Sequence, residues 1–244
     1  MRLTILGSAG WMPTDDRETA CYAVRQNDRL LVLDAGTGIR RLVTEPALLA
    51  GVSGVDLVLS HFHLDHLIGL SYLTALDRPV TVHGPGGWLY RRPTTELLDD
   101  VLRPPYRAST LHEVVVRELT EAGLVWGGHR LRVRHQGNHT APSVAFRLDD
   151  ALGYCTDTGH DPGNAEFVSG CRLLLHEAWS TEDVSELGHS SAAQAADIAR
   201  RAGIGRLLLI HLPPDREVQT LLAQAIAVFP ATELATDEAQ LDLS

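Results

Sequence analysis

The sequence predicts an α/β fold in which buried strands deliver polar side chains to one edge of a layered structure. Short runs of β-branched and apolar residues recur along the chain, and several of them end at a histidine or an aspartate. The chain has 244 residues, 44% of them hydrophobic, and no low-complexity linker divides it. We therefore predict one domain over residues 1–244 with two pseudo-equivalent halves, about 1–120 and 121–244. Each half would form a mixed β-sheet that is covered outside by helices.

The elements are predicted in chain order from their residue patterns. Apolar or β-branched runs predict strands at residues 1–6, 55–60, 131–134, 154–155 and 206–210, and the last of these is typical of a fully buried strand. Helical patterns are clearest at 191–202, where Ser190 or Ser191 can cap the helix, and at 217–228, after Pro213 and Pro214.

A cluster of three histidines and an aspartate follows the second of these strands. Extended backbone sends residues i and i+2 to the same side, so His61 and His63 can hold one metal ion together. If the chain turns into a helix at Leu64, Asp65 and His66 point elsewhere and can serve a second ion. Imidazole and carboxylate ligands suit zinc or a similar borderline metal.

Six residues cannot complete two coordination shells, so further ligands are expected at the ends of other strands. Three candidates meet that condition: His139 after the 131–134 strand, Asp157 after the 154–155 strand, and His211 after the 206–210 strand. His135 could compete with His139.

These motifs together resemble the metallo-β-lactamase superfamily, and within it the phosphodiesterase branch that includes ribonuclease Z and the cyclic-phosphate phosphodiesterase of phosphonate breakdown. The resemblance covers nearly the whole chain, from the glycine-containing segments 6–10 and 34–38 through the hexapeptide to His211. It implies a four-layer αββα sandwich of two mixed β-sheets in a single domain.

The resemblance also implies a binuclear metal site. One ion would be held by His61, His63 and His139, a second by Asp65, His66 and His211, and Asp157 would bridge them. The ions would be Zn²⁺, with Mn²⁺ or Fe as alternatives, and a bridging hydroxide would be the nucleophile. Asp65 counts among the catalytic residues as well as the ligands, and Asp34 would fix the tautomer of a ligand imidazole.

Two further residues indicate the branch. In ribonuclease Z-like enzymes a similar His-Glu-Ala segment and a later histidine work together, so Glu177 would orient and charge a catalytic His189. That pair suits phosphodiester cleavage by a metal-dependent hydrolase. The alternatives are a glyoxalase or lactonase type of hydrolase, ribonuclease Z-like RNA processing, and a non-hydrolytic di-iron module or sensor.

The substrate is predicted to be a small phosphodiester, cyclic or nucleotide-like. Only 18 positions separate His139 from Asp157, which leaves no room for the long arm with which ribonuclease Z clamps transfer RNA. The formal net charge of −10 also disfavours long nucleic acid. Segment 84–110, in which arginines alternate with aromatic residues, is either a flap that faces the substrate or, as we favour, a solvated helical insertion.

The remaining histidines and the cysteines are assigned no role in the site. We interpret His83, His112, His129, His135, His160 and His176 as surface or hydrogen-bonded residues. The three cysteines form no Cys-x-x-Cys motif, so a cytoplasmic setting is expected, with Cys155 as a buried structural thiol. No apolar run reaches the length of a membrane span, about 20 residues, and a homodimer is an open possibility.

Overall fold

The computed structural model describes residues 1–107, 114–214 and 217–243, and these ranges contain fourteen strands and six α-helices. The strands are β1 Arg2–Gly7, β2 Cys21–Gln26, β3 Arg29–Leu33, β4 Gly54–Val58, β5 Val80–Gly84, β6 Val115–Glu118, β7 Leu124–Trp126, β8 His129–Gln136, β9 Ser143–Leu148, β10 Leu152–Cys155, β11 Leu173–Glu177, β12 Arg206–Ile210, β13 Thr232–Leu234 and β14 Gln240–Asp242. The helices are α1 Arg40–Thr44, α2 Leu64–Leu67, α3 Thr94–Val101, α4 Gly163–Phe167, α5 Ala192–Ala202 and α6 Val218–Val228.

The strands form two seven-stranded mixed sheets. The order in the first sheet is β14-β1-β2-β3-β4-β5-β6, and in the second it is β13-β12-β11-β10-β9-β8-β7. In the first sheet β3 to β6 run parallel, and in the second β10 to β13 do. Strand β14 pairs with β1, so the chain returns to the first sheet after it has completed the second.

Three apolar clusters separate the layers. One contains residues of both sheets, including Tyr22, Phe146 and Tyr154, and forms the core between them. The second joins the first sheet to residues of α1, α2 and α3, and the third joins the second sheet to α4, α5 and α6. This confirms the predicted four-layer arrangement, in which each sheet buries both faces.

Helix α5 shows how local sequence determines an element. Ser191 accepts the Gln194 amide and the Gln194 side chain accepts the Ser191 amide, which together form a capping box. The helix ends at Ala202, which is followed by Gly203 in the left-handed conformation, and five alanines on its buried face allow close packing on the sheet. Of the two predicted caps, Ser190 and Ser191, the structure has Ser191 as the cap. None of the helices within the described ranges combines the length and apolar character needed to cross a membrane.

Candidate metal centre and active site

Loops at the carboxyl ends of parallel strands in both sheets form the candidate site. Segment 61–66 follows β4, Asp157 follows β10, and His211 follows β12 directly. Parallel strands bring their carboxyl ends to a common edge, and the face-to-face packing of the sheets places the two edges together. His139 joins them from the loop between β8 and β9.

The histidine-rich segment changes direction at Leu64, as the sequence predicted. His63 has extended backbone, with φ −68° and ψ 147°, and α2 begins at the next residue. The turn separates His61 and His63 from Asp65 and His66, because helical geometry takes the later pair around the axis. The segment thus contributes to two neighbouring groups of potential ligands.

The first group contains His61, His63, His139 and Asp157, with one potential ligand atom of each within 4.8 Å of the others. His139 Nε2 lies 3.2 Å from His63 Nδ1 and 3.5 Å from Asp157 Oδ1. Asp157 Oδ1 lies 3.9 Å from His61 Nε2. Nitrogen and oxygen donors therefore converge on one small volume.

The second group contains Asp65, His66 and His211. The other oxygen of Asp157, Oδ2, lies 3.0 Å from His66 Nε2 and 3.4 Å from His211 Nε2. Each oxygen of the Asp157 carboxylate therefore faces one of the two groups. That is the geometry a bridging carboxylate requires.

The donor atoms fit divalent cations. Nε2 of His61 and Nε2 of His66 are buried and have no hydrogen-bond partner among the described residues, and unpaired buried nitrogens are costly unless a ligand satisfies them. Burial holds the pKa of His61 well below its ordinary value, so that imidazole keeps a free lone pair. Burial raises the pKa of Asp157, but His211, His66 and His61 outweigh it and hold that pKa well below the usual range. The group is thus a carboxylate.

Asp34 supports the second group from behind. Its Oδ2 accepts hydrogen bonds from His66 Nδ1 at 2.9 Å and from the Tyr154 hydroxyl at 2.5 Å. Ser60 donates to the same carboxylate through its amide and its hydroxyl. The contact from Nδ1 to Asp34 leaves Nε2 of His66 to face the site, which is the orientation predicted for Asp34 to impose.

A glycine carbonyl supports His139 in a similar way. His139 Nδ1 lies 2.8 Å from the Gly188 carbonyl oxygen, to which it donates, so its Nε2 faces the first group. Gly188 has φ +82°, and a Cβ there would lie 2.8 Å from His139 Nδ1. Both the backbone conformation and the close approach require glycine.

Glu177 and His189 form the pair that the sequence predicted. His189 Nδ1 lies 2.8 Å from Glu177 Oε2, and the other oxygen, Oε1, accepts the Thr158 amide at 2.5 Å. The His189 ring stacks on Trp179 with 4.9 Å between ring centroids. Burial lowers the pKa of His189, but the adjacent Glu177 carboxylate outweighs it and raises that pKa to about 9.

Residues 29–212 match the family described as "Beta-lactamase superfamily domain". The chain belongs to this superfamily. It is a superfamily of hydrolases, and the match includes the histidine-rich segment, both groups of potential ligands and the Glu177–His189 pair.

Curated relatives and solved structures extend the similarity to nearly the whole chain. Ribonuclease Z of Porphyromonas gingivalis is 27% identical over 301 aligned positions, which cover 98% of each chain. The metallo-beta-lactamase fold protein YhfI from Bacillus subtilis has a TM-score of 0.82 at 22% identity and 98% coverage of both chains. A diphosphatase of the PhnP family has a TM-score of 0.78 at 19% identity, covering 99% of this chain and 97% of its own. These structures share the fold.

This superfamily member has a cavity of about 190 Å³ above the ligand candidates. Sequence reasoning did not assign Trp11 or Leu187 to the site, yet both line this cavity. For Trp11 the signal available was an aromatic residue directly after the glycine-containing segment 6–10. The residues that line the cavity are Trp11, His63, Asp65, His139, Thr140, Asp157, Trp179, Leu187, His189 and His211.

His189 also belongs to a third group of potential ligands. One of its ring nitrogens lies within 4.8 Å of ligand atoms of Asp157 and His211. Its other nitrogen is engaged by Glu177, so only Nε2 is free to face the cavity. The geometry thus permits two roles for His189, as a proton carrier or as a ligand.

The structure keeps the other histidines outside the three groups of potential ligands in the described ranges. His135 is exposed on β8, so it does not compete with His139. His129 contacts Asp149, His83 lies 3.4 Å from Asp56, and the Glu177 carbonyl accepts a hydrogen bond from His176. The remaining two are His160, which is partly buried, and His112, which lies outside the described residues. Cys155 is a buried free thiol.

In segment 84–110, which is described as far as residue 107, arginine side chains contact neighbouring side chains. Arg92 and Arg103 contact Asp100 of helix α3, and Arg107 donates to Thr74. Tyr90 packs on Phe62 and donates to the Pro142 carbonyl. Residues 84–107 contribute nothing to the cavity lining, which agrees with the helical-insertion interpretation and leaves the role of 108–110 outside the described residues.

Proposed function

We propose that this protein is a binuclear, metal-dependent phosphodiesterase that cleaves a small phosphodiester. The observation that carries the proposal is the Glu177–His189 pair, which lies at the cavity wall beside two groups of potential ligands that share Asp157. The ligand groups alone are compatible with several hydrolytic reactions. The added imidazole selects among them.

The proposed ligand assignment follows the two groups. His61, His63 and His139 hold one ion, and the second group of three residues holds the other. Asp157 lies between the two ions. Zn²⁺ suits these nitrogen and oxygen donors, and Mn²⁺ or Fe would be accepted by the same set. When bound, the two ions supply Lewis acidity towards phosphoryl oxygens and a water that is nucleophilic at about pH 7. The residues that hold the second ion are Asp65, His66 and His211.

Asp65 also belongs to the residues on which turnover depends. Its Oδ2 accepts the Trp11 amide at 2.8 Å and lies 3.3 Å from His211 Nε2. These contacts hold the carboxylate at the cavity floor. Its pKa is lowered because the neighbouring His66 and His211 outweigh the effect of burial.

His189 is proposed as the general acid. Its Nδ1 proton is committed to Glu177, so the proton available to a leaving group is on Nε2. Burial lowers the pKa of His189, but the Glu177 carboxylate outweighs it and raises that pKa, which favours the cationic imidazole. A cation at the cavity wall stabilises the charge that develops on the phosphoryl group and can protonate the departing alkoxide. Lactone or thioester hydrolysis has less need of this cation, which counts against a glyoxalase or lactonase.

A small substrate is favoured by the cavity and by the charge of the chain. A volume of about 190 Å³ matches the reacting part of a small phosphodiester. Its lining in the described structure contains no arginine or lysine, and the whole chain carries a net charge of −10. A polyanion would find few contacts beyond the reacting phosphate.

Ribonuclease Z-like processing of RNA is the second candidate, favoured by the identity of 27% to ribonuclease Z across 98% of each chain. The alignment spans 301 positions and this chain has 244 residues, so at least 57 positions have no counterpart here. Residues 139–157, which are too few to hold an RNA-clamping arm, contain a tight hairpin of β9 and β10. These features favour the smaller substrate.

The cytoplasmic setting and the homodimer stay predictions.

The test compares three ester classes in metal-loaded protein. We expect hydrolysis of bis(p-nitrophenyl) phosphate, little turnover of a thioester or a lactone, and no cleavage of a structured RNA with a 3′ extension. His189→Ala should slow diester hydrolysis by about 10²- to 10⁴-fold, the contribution of a positioned general acid. The control is His135→Ala, which replaces an exposed histidine outside the site.

Thioester or lactone turnover that is indifferent to His189 would overturn the proposal in favour of a glyoxalase or lactonase. RNA cleavage at least as efficient as diester hydrolysis would favour the second candidate. Loss of a bound ion in His189→Ala, measured by elemental analysis, would assign His189 to the ligands instead of to proton transfer.

A further inference from the structure

We propose that Trp11 is a stacking surface for a planar aromatic group, such as a nucleobase, that is attached to one ester arm of the substrate. This inference rests on the proposed phosphodiesterase function, and it names the substituent that the site selects. The supporting features are the exposure of the ring, its fixed backbone, its anchored loop and the composition of the cavity.

The exposure of Trp11 is unusual for its residue type. Its relative exposure is 65%, whereas Trp126 is 2% exposed, and Trp88 and Trp179 are partly buried. Indole rings carry a large apolar surface that normally finds a partner on folding. Trp11 lines the cavity that contains the ligand candidates, so the surface it leaves open adjoins the proposed reaction site.

The backbone of Trp11 is held against the site. Trp11 has φ +63°, a conformation that L-residues other than glycine rarely adopt. Its amide donates to Asp65 Oδ2 at 2.8 Å. A Cβ at the preceding Gly10 would lie 2.5 Å from ring atoms of His211, so the loop runs directly over that ligand candidate. The position of the indole is thereby tied to the proposed metal centre.

The base of the same loop is anchored while its tip is open. Asp237 accepts the amides of Ser8 and Glu18 and the hydroxyl of Ser8, which joins the two ends of the loop. The Ala9 amide donates to the Glu18 carbonyl. Residues 11–13 and 15–16 are exposed. An anchored loop loses little conformational entropy when a ligand meets its tip.

The chemistry of the cavity indicates the occupant. Histidines and aspartates form its polar part, and Trp11 and Leu187, which is 62% exposed, form apolar parts. We assign these histidines and aspartates to the phosphate end of a substrate. An uncharged planar group can still gain from the indole face, because stacking needs only a π-surface.

The test uses two phosphate monoesters that differ only in the base, adenosine 5′-monophosphate and ribose 5-phosphate. Their binding to metal-loaded protein is measured by calorimetry, with tryptophan fluorescence as a second readout. We expect the wild type to bind the adenosine compound about 5- to 100-fold more tightly, the range expected for one stacked base. Only that compound should quench the fluorescence.

Two variants and a control locate the effect. Trp11→Ala should bring the two dissociation constants within about twofold of each other and remove the quenching, while Trp11→Phe should keep most of the preference. Tyr106→Ala is the matched control, because Tyr106 is 77% exposed but does not line the cavity. Trp11→Ala is expected to fold, since an exposed ring contributes little to the core.

Equal affinities in the wild type, or a preference unchanged in Trp11→Ala, would overturn the stacking proposal. So would a preference lost equally in Tyr106→Ala. The outcome is separable from that of the proposed function. Diester hydrolysis without base preference would remove only the role of Trp11, and base preference without diester hydrolysis would remove only the phosphodiesterase.

Discussion

At the scale of single residues, the candidate site depends on which nitrogen of each imidazole is engaged behind the site. Asp34 engages Nδ1 of His66, the Gly188 carbonyl engages Nδ1 of His139, and Glu177 engages Nδ1 of His189. In each case the opposite nitrogen is left to face the site. These partners therefore set the protonation of the site as well as its shape.

The charge on His189 predicts a shift in the pH dependence of activity. Glu177 raises the pKa of His189 above its ordinary value, and bound cations oppose that effect. With Glu177→Gln only the cations remain, so the pKa of His189 should be lower in the variant than in the wild type. The acid form would then be lost at lower pH. We expect the alkaline limb of kcat/KM against pH to move down by about one unit or more, with its acid limb unchanged.

Asp150 is a suitable control, because it is exposed and lies outside the cavity lining. Asp150→Asn should leave the alkaline limb in place. An unmoved limb in Glu177→Gln would mean that a group other than His189 limits activity at high pH.

Asp157 and Asp34 predict different responses to removal of a carboxylate. Asp157 faces both groups of potential ligands, so Asp157→Ala should release at least one ion and abolish turnover. Asp34 contacts a ligand candidate only from behind, so Asp34→Asn should weaken metal binding by about 10- to 100-fold and leave activity recoverable in excess metal.

Elemental analysis and activity at several metal concentrations distinguish these two outcomes. Full activity of wild-type protein with fewer than about two ions per chain would contradict the binuclear arrangement. Recovery of Asp157→Ala by added metal would show that this carboxylate does not bridge.

At the scale of elements, short turns after the strands carry more of the site than helices do. The 3₁₀ turn Ser185–Leu187 ends at Gly188, which then contacts His139. The loop after β1 brings Trp11 to Asp65. Helices α5 and α6 pack on the outside of the second sheet and hold its strands in place. Site geometry is therefore sensitive to turn residues that contribute no ligand themselves.

Two glycines allow this sensitivity to be measured. Gly188 and Gly203 both have positive φ, so alanine at either position should cost about 1 kcal/mol or more in free energy of unfolding. A Cβ at Gly188 would collide with His139, whereas a Cβ at Gly203 would meet nothing within 4 Å. Gly188→Ala should also displace His139 and reduce both metal content and activity.

Chemical denaturation, metal content and diester hydrolysis are compared for the two variants. Gly203→Ala should retain the metal content and activity of the wild type. Comparable loss of activity in both variants would attribute the effect to general destabilisation and would remove Gly188 from the support of His139.

At the scale of the whole molecule, the site lies where the two sheets meet, so metal binding should be linked to folding. The first group joins segment 61–66 of the first sheet to His139 and Asp157 of the second, and the second group joins that segment to His211. Ligands so far apart in the sequence come together only in the folded chain. Ions bound by them stabilise the folded state by mass action.

Removal of metal should therefore lower the melting temperature. An ion present at about 1,000 times its dissociation constant contributes about 4 kcal/mol, so a chelator should lower the wild-type Tm by several degrees. The Tm of Asp157→Ala should respond less, because that variant lacks the shared ligand. The measurement is calorimetry with and without chelator. An equal response of the two proteins would place the stabilising ion elsewhere.

Much of the fold and the site could be predicted because the deciding patterns are local. Strand β12 occupies the predicted run 206–210, the conditional helical turn at Leu64 is present, and Ser191, one of the two predicted caps, caps α5. Apolar runs, capping residues and dense histidine clusters act over a few positions. The family match over residues 29–212 agrees with the motifs.

The sequence by itself determined the resemblance to the superfamily, because the motifs that carry it are residue types at short spacing, and the resemblance implied the αββα layering and the candidate ligands. Only the tertiary structure decided that each oxygen of Asp157 faces a different group, that Gly188 supports His139, and that Trp11 lines the cavity. The contacts of Asp157 and Gly188 join residues from 18 to 91 positions apart in the chain, and the place of Trp11 depends on the direction of a loop. Such pairings arise from how the two sheets pack, and no local pattern encodes that packing.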